Sequence, residues 1–164
     1  MQIILEHQEI ARKIVRLAYQ ILEQTTGQEE IYLGGIQGNG FIIATQLQEI
    51  LQERGGPHVE LFQIFIDKEE PWATPISLSI EEQILKNGYI ILVDDVINSG
   101  KTMQYALIKF LQQATQSIKV LALVDRQHRR FPIKADFVGL SLSTTLKNRV
   151  EIDLSSSRFF AFLK

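Results

Sequence analysis

The chain has 164 residues and a formal net charge of −2, with 45% hydrophobic and 22% charged residues. This balance is typical of a globular protein, and we expect a single domain over residues 1–164. The slightly negative charge argues against a general polyanion binder. With no cysteine, neither a disulfide nor a thiolate metal site can form. No stretch reaches the roughly 18 apolar residues of a membrane span, and no secretory signal is present, so we expect a cytoplasmic protein without a membrane partner.

The first elements are a helix, a strand and a glycine-rich turn. Apolar residues at three- and four-residue spacing predict an amphipathic helix over 6–26, with Gly27 as its stop. A short strand beginning at Ile31 leads into four glycines within residues 34–40, and a helix over about 41–54 follows. Glycines at this density indicate unusual backbone angles or the close approach of a ligand.

A second strand is predicted over 59–66, after which residues 67–88 lose all periodicity. Long irregular stretches often serve as lids over binding sites. Trp72 in this stretch is an anchor of such a lid, a partner contact, or a single aromatic that pins a surface loop.

An uninterrupted apolar run from Tyr89 to Val93 ends directly in Asp94 and Asp95. Such a run, bounded by turn residues, indicates a strand buried on both faces of a parallel sheet. Ligands of open parallel sheets bind just beyond the carboxyl ends of the strands. The two acids are therefore expected at a ligand site.

The turn after the acids has the chemistry of an anion site, because successive N–H groups at a helix start can surround a phosphate. Acids beside it suit a ligand with a phosphate at one end and hydroxyls or a cation at the other, such as a sugar phosphate. A nucleotide P-loop is disfavoured, since Asp95 stands where that motif needs glycine. The alternative is that the acids only cap a helix. The turn consists of Val96, Ile97, Asn98, Ser99, Gly100, Lys101 and Thr102.

The second half predicts a helix over 102–114, a buried strand over 118–124 and a C-terminal hairpin of 150–154 with 159–163 that closes the sheet edge. The predicted fold is therefore α/β, a doubly wound parallel sheet with helices on both faces. A small hood comes from the 125–150 region and the C-terminal hairpin. Three cations within that region are either a solvated basic edge or contacts to ligand or RNA; they are Arg129, Arg130 and Lys134.

Residues 93–102 combine an apolar strand end, two acids, three variable residues and Ser-Gly-x-Thr. This pattern resembles the signature of type I phosphoribosyltransferases, whose ligand is phosphoribosyl pyrophosphate. The resemblance implies that Asp94 and Asp95 hold the ribose hydroxyls as the catalytic acids, while residues 96–102 hold the 5-phosphate. It also implies Mg²⁺ as cofactor, held mainly through the substrate, and pyrophosphate binding at the glycine-rich turn with Gly38 and Asn39.

A second block, residues 123–139, closely resembles one in the bifunctional pyrimidine operon regulators. These proteins bind pyr messenger RNA and have uracil phosphoribosyltransferase activity. The resemblance runs from the first helix to about Val150 and implies a homodimer that converts uracil to UMP and releases pyrophosphate. It implies nucleotide binding by Arg126 and Val150. The alternative function is a nucleotide-sensing, RNA-binding attenuator with weak or no catalysis.

The glycine-rich turn departs from that subgroup, because Gln37 and Asn39 stand where the regulators usually carry Lys and Arg. Charge builds on pyrophosphate as the glycosidic bond breaks, so we predict weak pyrophosphate binding and slow turnover. The double change Gln37→Lys and Asn39→Arg is predicted to increase activity. The irregular stretch is also poor in basic residues, because Lys68 is followed by Glu69 and Glu70, and this too predicts slow turnover. The slightly negative net charge argues against RNA binding, which needs a basic face on the dimer.

Overall fold

The structure, a computed structural model, describes residues 1–143, 145 and 148–164. The strands are β1 (Gln2–Leu5), β2 (Glu30–Ile36), β3 (His58–Phe65), β4 (Ser77–Leu78), β5 (Tyr89–Ile97), β6 (Ser117–Asp125), β7 (Phe137–Ser141), β8 (Val150–Asp153) and β9 (Phe160–Leu163). The helices are α1 (His7–Gln24), α2 (Asn39–Glu53) and α3 (Lys101–Phe110), and a 3-10 helix spans Glu82–Leu85. No helix in this described part of the chain is long and apolar enough to cross a membrane.

The main sheet has the strand order β4-β3-β2-β5-β6-β7. Strands β3, β2, β5, β6 and β7 run parallel, and β4 is antiparallel to β3. The chain leaves β2 toward β3 on one side and leaves β5 toward β6 on the other. The boundary between β2 and β5 is therefore the switch point at which open α/β sheets form a ligand crevice.

Helices cover both faces of this sheet, which confirms the predicted α/β fold class. On one face, α1 and α2 bury their apolar stripes in a shared core that includes Ile10, Leu17 and Leu47. On the other face, α3 packs Met103 and Phe110 into a second core. The helix predicted over 102–114 is shorter than expected and ends at Phe110.

Strand β5 extends four residues beyond the predicted end at Val93. Asp94 pairs with Ala122 and Val96 pairs with Val124 in the parallel ladder with β6. The acids thus belong to the strand itself rather than to the turn after it. The ladder fixes their backbone, which gives the acids a more rigid support than a loop would.

The C-terminal hairpin exists as β8 and β9, but its predicted role at the edge of the main sheet is wrong. Strand β9 instead pairs with β1, which the sequence analysis did not predict, in a separate three-stranded sheet ordered β1-β9-β8. The main-sheet edge is formed by β7. Part of the predicted hood region 125–150 therefore belongs to the main sheet, and residues 144, 146 and 147 of that region lie outside the described residues.

Candidate functional site

A cleft of about 520 Å³ opens at the carboxyl end of β5. The structure brings together there all the predicted site residues except Gly38 and Arg126. Gly38 is the exposed N-cap of α2. The lining residues are Asn39, Lys68, Glu69, Asp94, Asp95, Val96, Ile97, Asn98, Ser99, Gly100, Lys101, Thr102, Met103, Arg149, Val150, Glu151 and Ile152.

The two acids differ in their environments. Asp94 is only 3% exposed, and its Oδ1 accepts a hydrogen bond of 2.9 Å from the backbone N–H of Asp95. Oδ1 of Asp95 accepts one of 2.7 Å from the N–H of Val96. Burial and the neighbouring charge of Asp95 raise the pKa of the Asp94 carboxyl to about 7. Asp94 therefore changes charge near neutral pH, which is unusual for an aspartate.

Helix α2 approaches the acids closely because its second residue is Gly40. A Cβ atom at Gly40 would lie 2.7 Å from the carbonyl oxygen of Val93 and 3.2 Å from Cα of Asp94. Any larger residue would push the start of α2 away from β5. The glycine-rich turn thus lets the loop after β2 lie directly beside the acids on β5.

Lys68 belongs to the site, although the sequence analysis assigned it no role there. Its Nζ lies 3.2 Å from Oδ1 of Asp94 and 4.0 Å from Oδ1 of Asp95. Burial alone would lower the pKa of the Lys68 ammonium, but the two carboxylates outweigh burial and raise it. The available signal was a cation a few residues beyond the carboxyl end of β3, next to the switch-point strand. Together with its neighbours Glu69 and Glu70, Lys68 resembled part of a run of solvent-exposed charges.

The first turn of α3 lines the cleft, and the N–H of Lys101 donates to Oγ of Ser99 at 3.2 Å. The N–H groups of Gly100, Lys101, Thr102 and Met103 have no carbonyl within the helix by position, and the first helical bond runs from Gln104 N–H to Gly100. The helix dipole adds positive potential at the same place. This turn can therefore hold an anion such as a phosphate.

Gly100 fulfils two requirements of that turn. Its φ of +85° lies in the left-handed region, where residues with a side chain are strained. A Cβ atom there would also lie 2.3 Å from Cγ2 of Ile133. The loop carrying Ile133 supports the turn from outside, since the carbonyl of Ser99 accepts hydrogen bonds from the N–H groups of Arg130 at 2.8 Å and Phe131 at 3.1 Å.

Arg126 is not among the residues that line the cleft. It joins residues 98–102, called the phosphate turn below, to the part of the hood that precedes β8. Its side chain donates to Oδ1 of Asn98 at 2.9 Å and to the carbonyls of Thr145, at 3.3 Å, and Asn148. Its backbone N–H donates to Ile97 at 3.0 Å. Arg126 is 6% exposed, so its contacts here are with the protein.

Arg129 is neither a solvated edge residue nor a lining residue of the cleft. It forms an ion pair of 2.9 Å with Asp125 and donates to the carbonyls of Asn98 and Ile133. Arg130 and Lys134 are exposed. The basic block therefore contains the partly buried Arg129, which is bonded to the turn before α3, and the surface charges Arg130 and Lys134.

The hood contributes β8 to the opposite wall of the cleft. Val150 is 7% exposed and lines the cleft beside Ile152. The side-chain amide of Asn39 donates hydrogen bonds of 2.8 Å both to Oδ2 of Asp95 and to the carbonyl of Ile152. The glycine-rich turn, the acids and the hood are thus connected through one side chain.

The start of the irregular stretch 67–88 rests on α3. Nζ of Lys101 donates to the carbonyl of Glu69 at 2.8 Å and lies 5.8 Å from the ring centroid of Trp72. The Trp72 ring is 6.0 Å from that of Tyr105 and remains 62% exposed. Trp72 therefore anchors this stretch against the helix that carries the phosphate turn.

An open sheet of parallel strands with paired acids and a helix start at its switch point is an arrangement that suits a phosphorylated ligand with hydroxyl groups. The family model "Phosphoribosyl transferase domain" matches residues 1–154. The chain belongs to the phosphoribosyltransferase family. The family resemblance predicted from the sequence is thereby confirmed.

Two relatives share the printed name "Bifunctional protein PyrR". The protein from Clostridium novyi (strain NT) is 34% identical over 163 residues, which cover 93% of this chain and 90% of that protein. The protein from Bacillus cereus (strain AH820) is 29% identical over 167 residues, with 94% and 91% covered. These relatives confirm the closer resemblance to the bifunctional regulator subgroup.

Solved structures give the same fold. The hypoxanthine phosphoribosyltransferase of Trypanosoma cruzi superposes with a TM-score of 0.78 at 17% identity, covering 98% of this chain and 95% of that one. A hypoxanthine-guanine phosphoribosyltransferase from Bacillus anthracis gives 0.73 at 21% identity, with 87% and 82% covered. At these identities the likeness concerns the fold alone.

Proposed function

We propose that the protein transfers the phosphoribosyl group of phosphoribosyl pyrophosphate to a nucleobase, with release of pyrophosphate. The observation that carries this proposal is the shared cleft of Asp94, Asp95 and the first turn of α3. The spacing of acids and anion site along one strand and turn suits a ribose 5-phosphate. Family membership makes the same transfer the expected reaction.

In this proposal the first-turn N–H groups of α3 bind the 5-phosphate, and the ribose hydroxyls donate to Asp94 and Asp95. The bond between C1 and the pyrophosphate oxygen breaks while the base nitrogen forms a bond to C1, and the proton of that nitrogen passes to solvent or to the leaving pyrophosphate. Positive charge develops on the ribose ring, and the two carboxylates stabilise it. Holding both reactants in one cleft supplies much of the remaining acceleration.

Mg²⁺ is part of the proposal as an ion bound mainly to the substrate. Among the described residues, no three His, Cys, Asp or Glu side chains are grouped as a metal site. The carboxylate oxygens of Asp94 and Asp95 are suitable partners for an ion that arrives with the ligand. When bound, Mg²⁺ neutralises charge on the pyrophosphate oxygens.

Uracil is the proposed base and UMP the proposed product. The sequence of residues 123–139, which resembles the pyrimidine regulators, supports this choice. Val150 and Ile152 give the hood wall an apolar surface against which a flat base can pack, and Arg126 holds that wall through the carbonyl of Asn148. A homodimer is proposed on the same resemblance.

The experiment is pyrophosphate release from phosphoribosyl pyrophosphate with Mg²⁺ and each free base in turn. We expect release that depends on the base and is fastest with uracil. The variant Asp95→Asn is measured alongside to exclude a contaminating activity, and it should be inactive. Release with no base at all, or with none of the bases, would contradict the proposed reaction.

RNA binding is a second candidate function, and one surface feature favours it. A depression of about 300 Å³ on α1 is lined by Arg12, Lys13 and Arg16 together with Glu9. Arg16 donates to the carbonyls of Val138 and Gly139 at 3.1 and 2.6 Å, and Arg12 and Lys13 beside it can contact successive phosphates. A gel-shift titration with pyrimidine-operon RNA should weaken steeply with salt and with Arg12→Gln. Binding that ignores both changes would remove this candidate.

A further inference from the structure

Asn39 connects parts of the chain that are far apart in sequence. The amide nitrogen reaches Oδ2 of Asp95, 56 residues away, and the carbonyl of Ile152, 113 residues away, each at 2.8 Å. A side-chain amide has two N–H donors. Both donors are therefore used in these two contacts, and neither remains for a ligand.

Each oxygen of the Asp95 carboxylate accepts a hydrogen bond. Oδ2 accepts from Asn39, and Oδ1 accepts from the N–H of Val96. Asp94 has a different partner, the ammonium group of Lys68. The same ammonium group lies farther from Oδ1 of Asp95, at 4.0 Å. Asp94 is thus hydrogen-bonded to a cation, whereas the hydrogen-bond donors of Asp95 are neutral.

The neutral character of Asn39 has a chemical consequence. An amide orients a carboxylate without cancelling its charge, whereas a cation at the same distance would neutralise much of it. Stabilising positive charge on a ribose ring requires an acid that keeps its negative charge. The same amide ties β8 across the cleft, so the hood wall and the acid keep a fixed relation.

We propose that Asn39 is a positioning residue that acts through Asp95 and the hood strand β8 and does not bind pyrophosphate with its side chain. The inference rests on the proposed function, since a ribose is the ligand that Asp95 would face.

The decisive variant is Asn39→Asp, which keeps the shape of the side chain and removes both N–H donors. At pH 8 the new carboxylate faces Oδ2 of Asp95 and the Ile152 carbonyl. We expect kcat/KM for phosphoribosyl pyrophosphate to fall roughly ten- to a hundredfold. The charge of Asp95, 2.8 Å away, raises the pKa of the introduced carboxyl. At pH 6 part of the loss should therefore be recovered relative to wild type, because a protonated carboxyl regains one donor.

The matched control is Gln52→Glu, which adds the same charge at an exposed position of α2 outside the cleft lining. Its ratio to wild type should stay constant with pH. A merely structural role for Asn39 would instead give a loss that follows the melting temperature and has no pH-dependent recovery. That result, or an Asn39→Asp variant with wild-type kinetics at every pH, overturns the proposal.

A parallel binding measurement separates this inference from the proposed reaction. The single tryptophan, Trp72, contacts Lys101 of the phosphate turn, so its fluorescence can report binding of phosphoribosyl pyrophosphate with Mg²⁺. If wild type binds without turnover and Asn39→Asp shows the pH-dependent loss of affinity, the reaction fails while the role of Asn39 stands. If wild type neither binds nor reacts, both are overturned.

Discussion

Nζ of Lys68 lies 3.2 Å from Oδ1 of Asp94, and this places a cation from the stretch after β3 on the most buried acid of the site. Without it, only the hydrogen bond from the backbone N–H of Asp95 would oppose the burial and the Asp95 charge that raise the pKa of Asp94. Lys68 side-chain exposure is 44%, so the lysine can exchange this partner for an anionic ligand. The contact therefore links the charge state of the acids to the position of the stretch that begins at residue 67.

The first prediction concerns the acid limb of the pH profile. Asp94 must be ionised to stabilise positive charge, so kcat/KM, which reports the free enzyme, should rise with pH through about 7. Lys68 lowers the pKa of Asp94. The change Lys68→Gln should therefore move this limb to higher pH. Lys86→Gln, at an exposed lysine, should leave it in place, and an unmoved limb in Lys68→Gln would show that the ion pair does not control Asp94.

The second prediction concerns stability. Folding raises the pKa of Asp94 from 3.8 to about 7, so the unfolded chain ionises first as pH rises. The stabilising contribution of the protonated form is full below about pH 4 and is lost between about pH 4 and pH 7. The variant Asp94→Asn cannot ionise at this position and therefore does not lose this stability as pH rises. Its melting temperature should exceed that of wild type by about 3 °C or more at pH 8, the shift caused by roughly 1 kcal/mol.

At pH 4 the melting temperatures of wild type and Asp94→Asn should be nearly equal. Glu53→Gln, at an exposed acid on α2, serves as the control. Its difference in melting temperature from wild type should not increase with pH. A variant that melts below wild type at pH 8 would show that the pair with Lys68 outweighs the burial of Asp94. The second prediction would then be wrong, although loss of activity in Asp94→Asn would still be expected.

Local patterns predicted the part of the site that lies on consecutive residues. The apolar run of β5, the acids at its end and the small residues of the turn before α3 lie within fourteen residues, 89–102. Alternation and glycine spacing describe such a segment well, because strand, turn and helix start each depend on neighbours in sequence. The α1 stripe was predicted for the same reason.

Contacts between distant residues were missed. Strand β1 exists because Gln2 pairs with Leu163, and no pattern within a four-residue strand reveals a partner at the other end of the chain. This pairing also explains why the C-terminal hairpin does not extend the main sheet. Lys68 and Asp94 are 26 residues apart, and the position of Lys68 becomes visible only when β3, β2 and β5 are aligned side by side.

The third prediction isolates the role of Gly100. The change Gly100→Ala adds backbone strain at φ +85° and a clash with Ile133. Gly27→Ala is the matched control, because Gly27 has a φ of +86° with no atom within 4 Å of the added Cβ. Both changes should cost about 1–2 kcal/mol for the left-handed backbone, and Gly100→Ala should cost more.

Binding of ribose 5-phosphate, measured by calorimetry, separates the two glycine variants further. Gly27→Ala should bind as wild type does, since Gly27 follows α1 and does not line the cleft. Gly100→Ala should lose binding, because Ile133 and the turn cannot keep their present positions together. Equal affinities in the two variants would mean that the phosphate is held elsewhere.

The last prediction revises the expectation for the glycine-rich turn. Replacing Gln37 and Asn39 together by Lys and Arg was expected to increase activity, because both positions carry cations in the related regulators.

The structure shows that positions 37 and 39 differ in their surroundings. Gln37 is exposed, so Gln37→Lys adds a cation near the leaving group and should raise kcat/KM up to about tenfold. Asn39→Arg replaces a short neutral amide by a longer cation, which cannot keep both 2.8 Å contacts in place and neutralises part of the Asp95 charge. It should therefore lower kcat/KM by at least that factor. The double variant should therefore fall below Gln37→Lys alone, and steady-state kinetics on the four proteins of this cycle measure the difference. An increase in Asn39→Arg alone would show that the missing charge at position 39 limits the reaction more than the position of Asp95 does.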